Sequence, residues 1–204
     1  MIVIIDYGLC NLRSVQKAFE RINVPAMVSN DPGSISKADK LILPGVGSFA
    51  KGMENLSQQG WILPLKEAVE VKKMPILGIC LGMQLLTDHS EEGNAQGLGW
   101  IPGNTSHFSK LIATTGLKIP HMGWNTLQPS IDNPLLNGIQ PTDAFYFVHS
   151  YYVSVSNPQH QLTQTEYGNN FDSAIFKENI YGVQFHPEKS HSAGLTLLKN
   201  FSTI

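Results

Sequence analysis

One cysteine of the chain stands between two glycines in a pattern that suits a nucleophile. Residues 78–82 read Gly-Ile-Cys-Leu-Gly, and an apolar run comes directly before them. A nucleophile at a sharp strand-to-helix turn, with a glycine two residues away on either side, forms an elbow that lifts its side chain clear of the sheet. Cys80 would then lie at a helix N-terminus, where the dipole favours the thiolate. The pattern alone is equally compatible with a buried structural cysteine between two packing glycines.

His186 and Glu188 are candidates for the base that such a nucleophile needs and for the group that orients the base. Residues two apart in an extended chain point to the same side, so the carboxylate can reach the imidazole. A histidine after a strand is, on its own, more often a surface or core residue. Cys80 and His186 both follow predicted core strands, however, and the carboxyl ends of such strands form the active-site edge of open α/β sheets. We therefore predict a triad of Cys80, His186 and Glu188.

Residues 44–47, which we call the oxyanion loop, read Pro-Gly-Val-Gly and follow another apolar segment. A thiolate that attacks an acyl carbon needs donors for the developing oxyanion. In elbow enzymes one donor is the N–H after the nucleophile, here Leu81, and the other comes from a loop after a neighbouring strand, here Val46. Glycines on both sides of Val46 allow its peptide to turn freely. Without the other two motifs, this segment would be interpreted as an ordinary turn.

The elements that must position these residues alternate between strand and helix in the first half of the chain. Buried parallel strands are predicted for four apolar segments, 1–5, 24–28, 41–43 and 75–79. Segment 144–155 predicts one further strand, and segments 173–176 and 181–185 predict an antiparallel hairpin. We expect an α/β fold with a mixed, mainly parallel central sheet flanked by helices, with added antiparallel strands, in a single domain over residues 1–204.

Helices are predicted between the strands and at the end of the chain. The first has an apolar face formed by Leu12, Val15, Phe19 and Ile22. A second helical stretch covers 49–72, with breaks expected near Gly60 and Pro64. A last helix begins at about Ser192.

The composition narrows the class of function. The chain has 204 residues, only 15% of them charged, and a formal net charge of −2. Nucleic-acid-binding proteins normally carry a basic excess, so we expect no nucleic-acid partner. The two cysteines make no disulfide framework, no basic segment precedes the first apolar stretch, and no apolar run approaches the roughly 18 residues that span a bilayer. We expect a cytoplasmic protein without membrane contact, and neither a metal nor a cofactor.

Taken together, the elbow, the later His-Pro-Glu and the oxyanion loop resemble the class I (triad-type) glutamine amidotransferases. Within that family the chain is similar, over essentially its whole length, to the glutaminase subunits of imidazole glycerol phosphate synthases. The similarity rests on residues 6–8, 44–49, 78–86, 120–125, 147–152 and 182–190. The stretches 120–125 (Pro-His-Met-Gly-Trp-Asn) and 147–152 (Phe-Val-His-Ser-Tyr-Tyr) are the specific part, since the wider family shares the elbow and the His-Pro-Glu.

The resemblance implies roles for individual residues. Cys80 would be the nucleophile, His186 the base and acid and Glu188 its orienting group, with oxyanion-hole N–H groups from Val46 and Leu81. The residues that would hold the substrate glutamine are Gly47, Gln84, His149, Ser150 and Tyr151. The residues that would form or support the partner interface are His121, Met122, Trp124 and Asn125.

The resemblance also implies a two-protein enzyme. This subunit would hydrolyse L-glutamine to glutamate and ammonia through a cysteine thioester. A (β/α)₈-barrel cyclase subunit, forming a heterodimer with it, would use the ammonia in histidine biosynthesis. Because free hydrolysis would waste ammonia, we expect the isolated chain to be a poor glutaminase that its partner switches on. The oxyanion loop is the expected switch, with the Val46 N–H pointing either toward or away from the acyl oxygen.

Cys10 departs from the family pattern, which most often has glycine at this point near the partner-facing side. It lacks flanking glycines and a base of its own, so we expect a structural role.

Three alternatives remain for the function. One is a paralogous subunit that supplies ammonia for sugar amidation in surface polysaccharide synthesis. The others are a non-catalytic regulatory module on the same fold and a cysteine hydrolase that acts on another substrate.

Overall fold

A long mixed β-sheet forms the centre of the computed structural model, which describes residues 1–113 and 116–204. Two strands, His121–Thr126 and Ala144–His149, pair with each other in a separate small sheet, and the other described strands belong to the central sheet. The strands are β1 (Ile2–Ile5), β2 (Ala26–Ser29), β3 (Lys40–Gly45), β4 (Ile76–Cys80), β5 (His89–Ser90), β6 (Ala95–Gln96), β7 (Gly103–His107), β8 (His121–Thr126), β9 (Gln128–Pro129), β10 (Ala144–His149), β11 (Tyr151–Val155), β12 (Gln161–Tyr167), β13 (Asn169–Lys177) and β14 (Ile180–Val183). The helices are α1 (Leu12–Arg21), α2 (Phe49–Gln58), α3 (Ile62–Lys66), α4 (Leu81–Leu85) and α5 (His191–Thr203).

The parallel half of the sheet has the order β2-β1-β3-β4-β14, and β13 continues it in the antiparallel sense. Strands β1, β4 and β14 are buried at every residue, which explains why their sequences show no polar alternation. Gly45 is paired with Cys80, and Val183 with Ile79. The carboxyl ends of β3, β4 and β14 therefore meet at one edge. The predicted α/β class, with added antiparallel strands, is confirmed.

Helices cover both faces of the parallel half. Side chains alternate along β1, so Ile2 and Ile4 join the core cluster under α1 and α5, while Val3 and Ile5 join the cluster under α2, α3 and α4. Phe19 belongs to the first cluster, and the predicted apolar face of α1 packs there. The helices thus hold the central strands in place, and with them the points at which the loops begin.

Segment 144–155 forms two strands rather than the single strand that its composition predicts. The chain bends at Ser150, so β10 pairs with β8 while β11 pairs with β7 and β13 in the central sheet. The Nδ1–H of His149 donates to the Tyr151 carbonyl oxygen at 2.7 Å across this bend. Aromatic and β-branched residues on both sides of the bend give no local sign of it, so the prediction of one strand was wrong.

The predicted break of the second helix occurs at only one of the two expected places. Gly60 has a φ of +75° and separates α2 from α3. Pro64 lies within α3, in the first turn, where a missing N–H breaks no helical hydrogen bond.

No helix in residues 1–113 and 116–204 is long and apolar enough to cross a membrane. The same residues contain no group of three or more histidine, cysteine or acidic side chains placed to bind a metal ion.

Candidate active site

The sharp turn predicted around Cys80 is present. Cys80 ends β4 with φ +54° and ψ −108°, a conformation that a residue with a side chain rarely adopts, and α4 begins at the next residue. A Cβ at Gly82 would lie 1.7 Å from the Leu43 carbonyl oxygen, so only glycine allows α4 to approach β3 this closely. The elbow therefore places the Cys80 thiol at the carboxyl edge of the sheet.

His186 and Glu188 form a buried pair just after β14. Their side chains are 3% and 2% exposed, and His186 Nδ1 lies 2.8 Å from Glu188 Oε1. The carboxylate accepts a hydrogen bond from the Nδ1–H of the ring. The other ring nitrogen, Nε2, has no hydrogen-bond partner among the described residues. Burial disfavours the charged ring, but Cys80 and Glu188 outweigh burial and raise the pKa of His186 to about 10. The ring is thus arranged to take and hold the proton of the Cys80 thiol.

We expect Glu188→Gln to reduce glutamine hydrolysis less than His186→Ala does. The carboxylate positions the ring and sets its tautomer, whereas the ring itself transfers the proton. In a comparable triad, removal of the carboxylate costs roughly a hundredfold less than removal of the base. The measurement is kcat for glutamine in both variants, with circular dichroism to show that each is folded. Equal losses would indicate that Glu188 does more than orient the ring.

Gln184 touches the nucleophile, although the sequence analysis did not select it. Its Nε2 donates to Cys80 Sγ at 3.6 Å, and its Oε1 accepts from Gln84 Nε2 at 3.0 Å. Gln84 also donates to the Tyr151 carbonyl oxygen at 3.2 Å, so the amide of Gln184 is held with its N–H toward the sulfur. An N–H donor in this position stabilises a thiolate. Gln184 could have been recognised in the sequence, because it is a polar residue inside the apolar run that precedes His186.

The oxyanion loop lies beside Cys80, but its key donor points elsewhere. The backbone N–H of Val46 donates to the Leu9 carbonyl oxygen at 2.7 Å. In this orientation the Val46 N–H is not available to an oxyanion at Cys80. Of the two expected orientations, the loop adopts the one in which the Val46 N–H points away from the acyl oxygen. We call this the outward orientation.

Cys10 packs behind the oxyanion loop. Its thiol donates to the Pro44 carbonyl oxygen at 3.1 Å. Burial raises the pKa of Cys10 to about 12, so at neutral pH it stays a thiol and is a poor nucleophile. These contacts agree with the structural role expected for Cys10.

A cavity of about 470 Å³ opens at this edge of the sheet. Every predicted catalytic, oxyanion and substrate-binding residue lines it except Glu188, which lies behind His186. Those residues are Val46, Gly47, Cys80, Leu81, Gln84, His149, Ser150, Tyr151 and His186. Four residues that were not predicted also line the cavity, namely Glu92, Pro120, Val148 and Lys189. Glu92 accepts a hydrogen bond from the Phe49 N–H at 2.7 Å, which fixes its carboxylate at the start of α2.

The four residues predicted for the partner interface lie in β8, where successive side chains point to opposite faces of the strand. Two of them are therefore exposed and two are not. Met122 and Trp124 are 61% and 49% exposed, as a docking surface requires. Asn125 is half-buried and donates to the Glu166 carbonyl oxygen at 2.9 Å. His121 is buried, so it cannot touch a partner directly, and of the two expected roles only support of the interface fits its position. Successive residues of a strand point to opposite faces, and His121 points inward.

His121 instead forms a buried pair with His149. His121 Nδ1 lies 3.1 Å from His149 Nε2, and the His121 ring stacks between Phe147 and Tyr167 at 4.8 and 4.1 Å. His149 Nδ1 must carry a proton to donate to Tyr151, and burial disfavours a second proton on this ring, so its Nε2 is left to accept the Nδ1 proton of His121. Both rings are therefore neutral, and His121 supports the cavity wall through His149.

This pair should make the protein less stable as the pH falls from about 6.5. Burial lowers the pKa of His121 to about 4. Burial also lowers the pKa of His149 to about 3, although its hydrogen bond to Tyr151 opposes the shift. Between the folded and unfolded pKa values the unfolded chain binds more protons. In this range each ring lowers the free energy of unfolding by roughly 1.4 kcal/mol for every pH unit of acidification. Above pH 7 neither ring makes the free energy of unfolding depend on pH.

The measurement is urea unfolding at pH 5 and pH 6, with His121→Phe for comparison. We expect the free energy of unfolding to fall toward pH 5 in the wild type and the pH slope to become smaller in the variant. An identical slope in both proteins would show that the His121 ring is not buried in its neutral form.

Comparisons with known proteins agree with this geometry. Residues 3–203 match the family "Glutamine amidotransferase class-I". The chain is 52% identical to imidazole glycerol phosphate synthase subunit HisH 2 of Methanococcus maripaludis, over 98% of each chain. It is 43% identical to the HisH subunit of Bdellovibrio bacteriovorus, over the full length of both.

Solved structures share the fold at low sequence identity. A putative GMP synthase subunit from Thermoplasma acidophilum superposes with a TM-score of 0.72 at 18% identity, over 99% of this chain and 92% of that one. A PurLQS structure from Thermotoga maritima gives a TM-score of 0.72 at 17% identity, over 98% of this chain and 96% of that one. Likeness at this level of identity concerns the fold alone.

Proposed function

This chain belongs to the class-I glutamine amidotransferase family, and we propose that it is the glutaminase subunit of an imidazole glycerol phosphate synthase. It hydrolyses L-glutamine to glutamate and ammonia and delivers the ammonia to a cyclase subunit in histidine biosynthesis. The observation that carries this proposal is the strained Cys80 elbow, which shares one cavity with the imidazole of the His186–Glu188 pair.

The proposed reaction begins with proton transfer from Cys80 to His186 Nε2. The thiolate attacks the side-chain amide carbon of glutamine and forms a tetrahedral oxyanion. His186 then returns the proton to the departing nitrogen, ammonia leaves, and a thioester remains on Cys80. A water molecule gives a proton to His186 and attacks the thioester, the C–S bond breaks with release of glutamate, and the proton on His186 returns to the Cys80 sulfur. Glu188 keeps the ring in the required tautomer throughout.

Substrate recognition follows from the groups that line the cavity. Glutamine carries an ammonium and a carboxylate on its α-carbon. Glu92 places a carboxylate on the cavity wall, and we assign it to the α-ammonium. Gly47, Gln84, His149, Ser150 and Tyr151 surround the remaining space and are assigned to the substrate as well.

The oxyanion hole needs the Val46 N–H to leave Leu9 and turn toward Cys80. Removal of one oxyanion donor costs roughly 10²–10³ in rate, so an outward N–H keeps turnover low. We propose that the cyclase partner, with its nucleotide ligand bound, favours the inward orientation. Ammonia is then produced only when its acceptor is in place.

The proposed docking face lies on the exposed side of the small β8–β10 sheet. The Trp124 ring is half exposed, stacks on His191 at 4.8 Å and lies edge-on to Tyr146 at 5.8 Å. Lys189 Nζ lies 5.7 Å from the centre of the Tyr146 ring. Exposed aromatic and methionine side chains are enriched at protein interfaces. We propose that a (β/α)₈-barrel cyclase docks here, forming a heterodimer, through Met122 and Trp124.

The cellular setting and the domain organisation are part of the same proposal. Cys10 and Cys80 are both free thiols, which suits a reducing cytoplasm. We propose that residues 1–204 act as one glutamine amidotransferase domain.

Identification of the protein that co-purifies with this chain from its native host tests the proposal. A barrel cyclase, together with glutamine-dependent formation of its product by the purified complex, is the expected result. Co-purification of a sugar-amidating synthetase would overturn the assignment to histidine biosynthesis and leave the glutaminase assignment intact. A complex that does not hydrolyse glutamine would overturn both.

A further inference from the structure

Tyr7 carries a buried hydroxyl that has no hydrogen bond of normal geometry among the described residues, its neighbour being the weakly accepting sulfur of Cys10. The side chain is completely buried in the core on the α2 side of the sheet. Most buried hydroxyls are hydrogen-bonded, because an unpaired one has lost its water without compensation. An exception inside a well-packed core therefore calls for an explanation.

The Tyr7 hydroxyl lies directly against the oxyanion loop. A Cβ at Gly45 would lie only 2.1 Å from the hydroxyl oxygen, so the hydroxyl occupies the space where a side chain at position 45 would be. Gly45 supplies the carbonyl of the peptide whose N–H belongs to Val46. The unpaired donor is thus next to the peptide that must turn.

A turn of this peptide moves two groups and not one. When the Val46 N–H leaves the Leu9 carbonyl oxygen, 2.7 Å away, and points to Cys80, the Gly45 carbonyl swings in the opposite direction. It then approaches the segment that contains Leu9, where another carbonyl oxygen would repel it. The turned state therefore needs a hydrogen-bond donor on that side of the loop.

Among the neighbouring side chains, Tyr7 is the one that can donate to the turned Gly45 carbonyl. The Cys10 thiol is on the same side, but it already donates to the Pro44 carbonyl oxygen at 3.1 Å. Burial, then the nearby Cys10 and Cys80, and last a weak hydrogen bond with the Cys10 sulfur raise the pKa of Tyr7 well above its ordinary value, so the hydroxyl keeps its proton.

We propose that the Tyr7 hydroxyl donates a hydrogen bond to the Gly45 carbonyl when the Val46 N–H turns toward Cys80, and that Tyr7 is a positioning residue of the oxyanion hole. The inference rests on the proposed glutaminase function. It also explains why the hydroxyl is unpaired here: its partner arrives only in the active orientation. The penalty for an unpaired hydroxyl falls on the outward state alone, which makes the turn easier.

Tyr7→Phe tests this proposal because it removes only the oxygen. The assay is glutamine hydrolysis by the complex with its cyclase and nucleotide ligand. We expect kcat to fall about five- to tenfold, which corresponds to one hydrogen bond, with KM for glutamine unchanged. Stability toward urea should be unchanged or higher, because the lost hydroxyl has no hydrogen bond of normal geometry in the outward state. Tyr181→Phe, a second buried tyrosine on β14, is the matched control and should retain full kcat.

A double variant shows whether Tyr7 acts through Val46. Val46→Pro has no N–H to turn, so Tyr7→Phe should cause no further loss in that background. The same five- to tenfold loss there, or a marked loss of stability in Tyr7→Phe, would overturn the proposal in favour of a structural role. Full kcat in Tyr7→Phe would overturn it too, while an active wild-type complex would leave the glutaminase assignment standing. An inactive wild-type complex would instead overturn the proposed function, and this inference with it.

Discussion

Cys80→Ala should abolish glutamine-dependent product formation and leave ammonia-dependent turnover by the cyclase unchanged. Without the thiol no thioester forms, and removal of a nucleophile from a triad typically costs on the order of 10⁶ in kcat. The cyclase needs only ammonia, so ammonium salts supplied in solution bypass the loss. The measurement compares product formation by the complex with glutamine and with ammonium chloride. More than a trace of glutaminase activity in the variant would contradict the assignment of Cys80.

Cys10→Ser is the matched control for this experiment. Serine can donate to the Pro44 carbonyl oxygen as the Cys10 thiol does, so the loop behind Val46 keeps its contact. We expect glutamine hydrolysis to remain largely intact. A loss as deep as that of Cys80→Ala would exchange the roles of the two cysteines.

Val46→Pro should reduce the activated rate of glutamine hydrolysis by roughly 10²–10³, the usual cost of one oxyanion donor. Proline has no N–H, whereas Val46→Ala keeps the N–H and removes only a half-exposed side chain. The pair of variants therefore separates the backbone donor from the side chain. We expect Val46→Ala to retain most of the activated rate, and both variants to bind the cyclase.

An equal loss in both variants would show that the Val46 side chain, and not its N–H, is required. No loss in either would show that the oxyanion is stabilised elsewhere. Substitution of Gly45 is less informative, since any Cβ at position 45 would meet the Tyr7 hydroxyl 2.1 Å away.

The central sheet, the Cys80 elbow and the His186–Glu188 pair could be predicted from the sequence because all of them depend on local patterns. An entirely apolar run such as 1–5 has few alternatives to a strand buried on both faces. The glycines at 78 and 82 show where a strand must turn sharply into a helix, and His186 follows a neighbouring apolar run. Parallel pairing then brings the ends of these strands to one edge.

Other features could not be predicted because they depend on contacts between distant segments. The bend at Ser150 separates two strands with the same composition, and only their different partners, β8 and β7, distinguish them. The inward orientation of His121 follows from the register of β8 against β10. The direction of the Val46 N–H depends on one carbonyl oxygen in the loop after β1. None of these contacts can be recognised from the residues next to them in the sequence.

The steady-state rate of glutamine hydrolysis by the wild-type chain, alone, with the cyclase, and with the cyclase and its nucleotide ligand, tests most directly whether this protein is a glutaminase controlled by its oxyanion loop. With the Val46 N–H held by Leu9, the isolated chain should be slow. The rate should rise by roughly 10²–10³ when the partner and its ligand are both present. An isolated chain that already hydrolyses glutamine at the rate of the full complex would contradict the account, because the outward N–H would then impose no barrier.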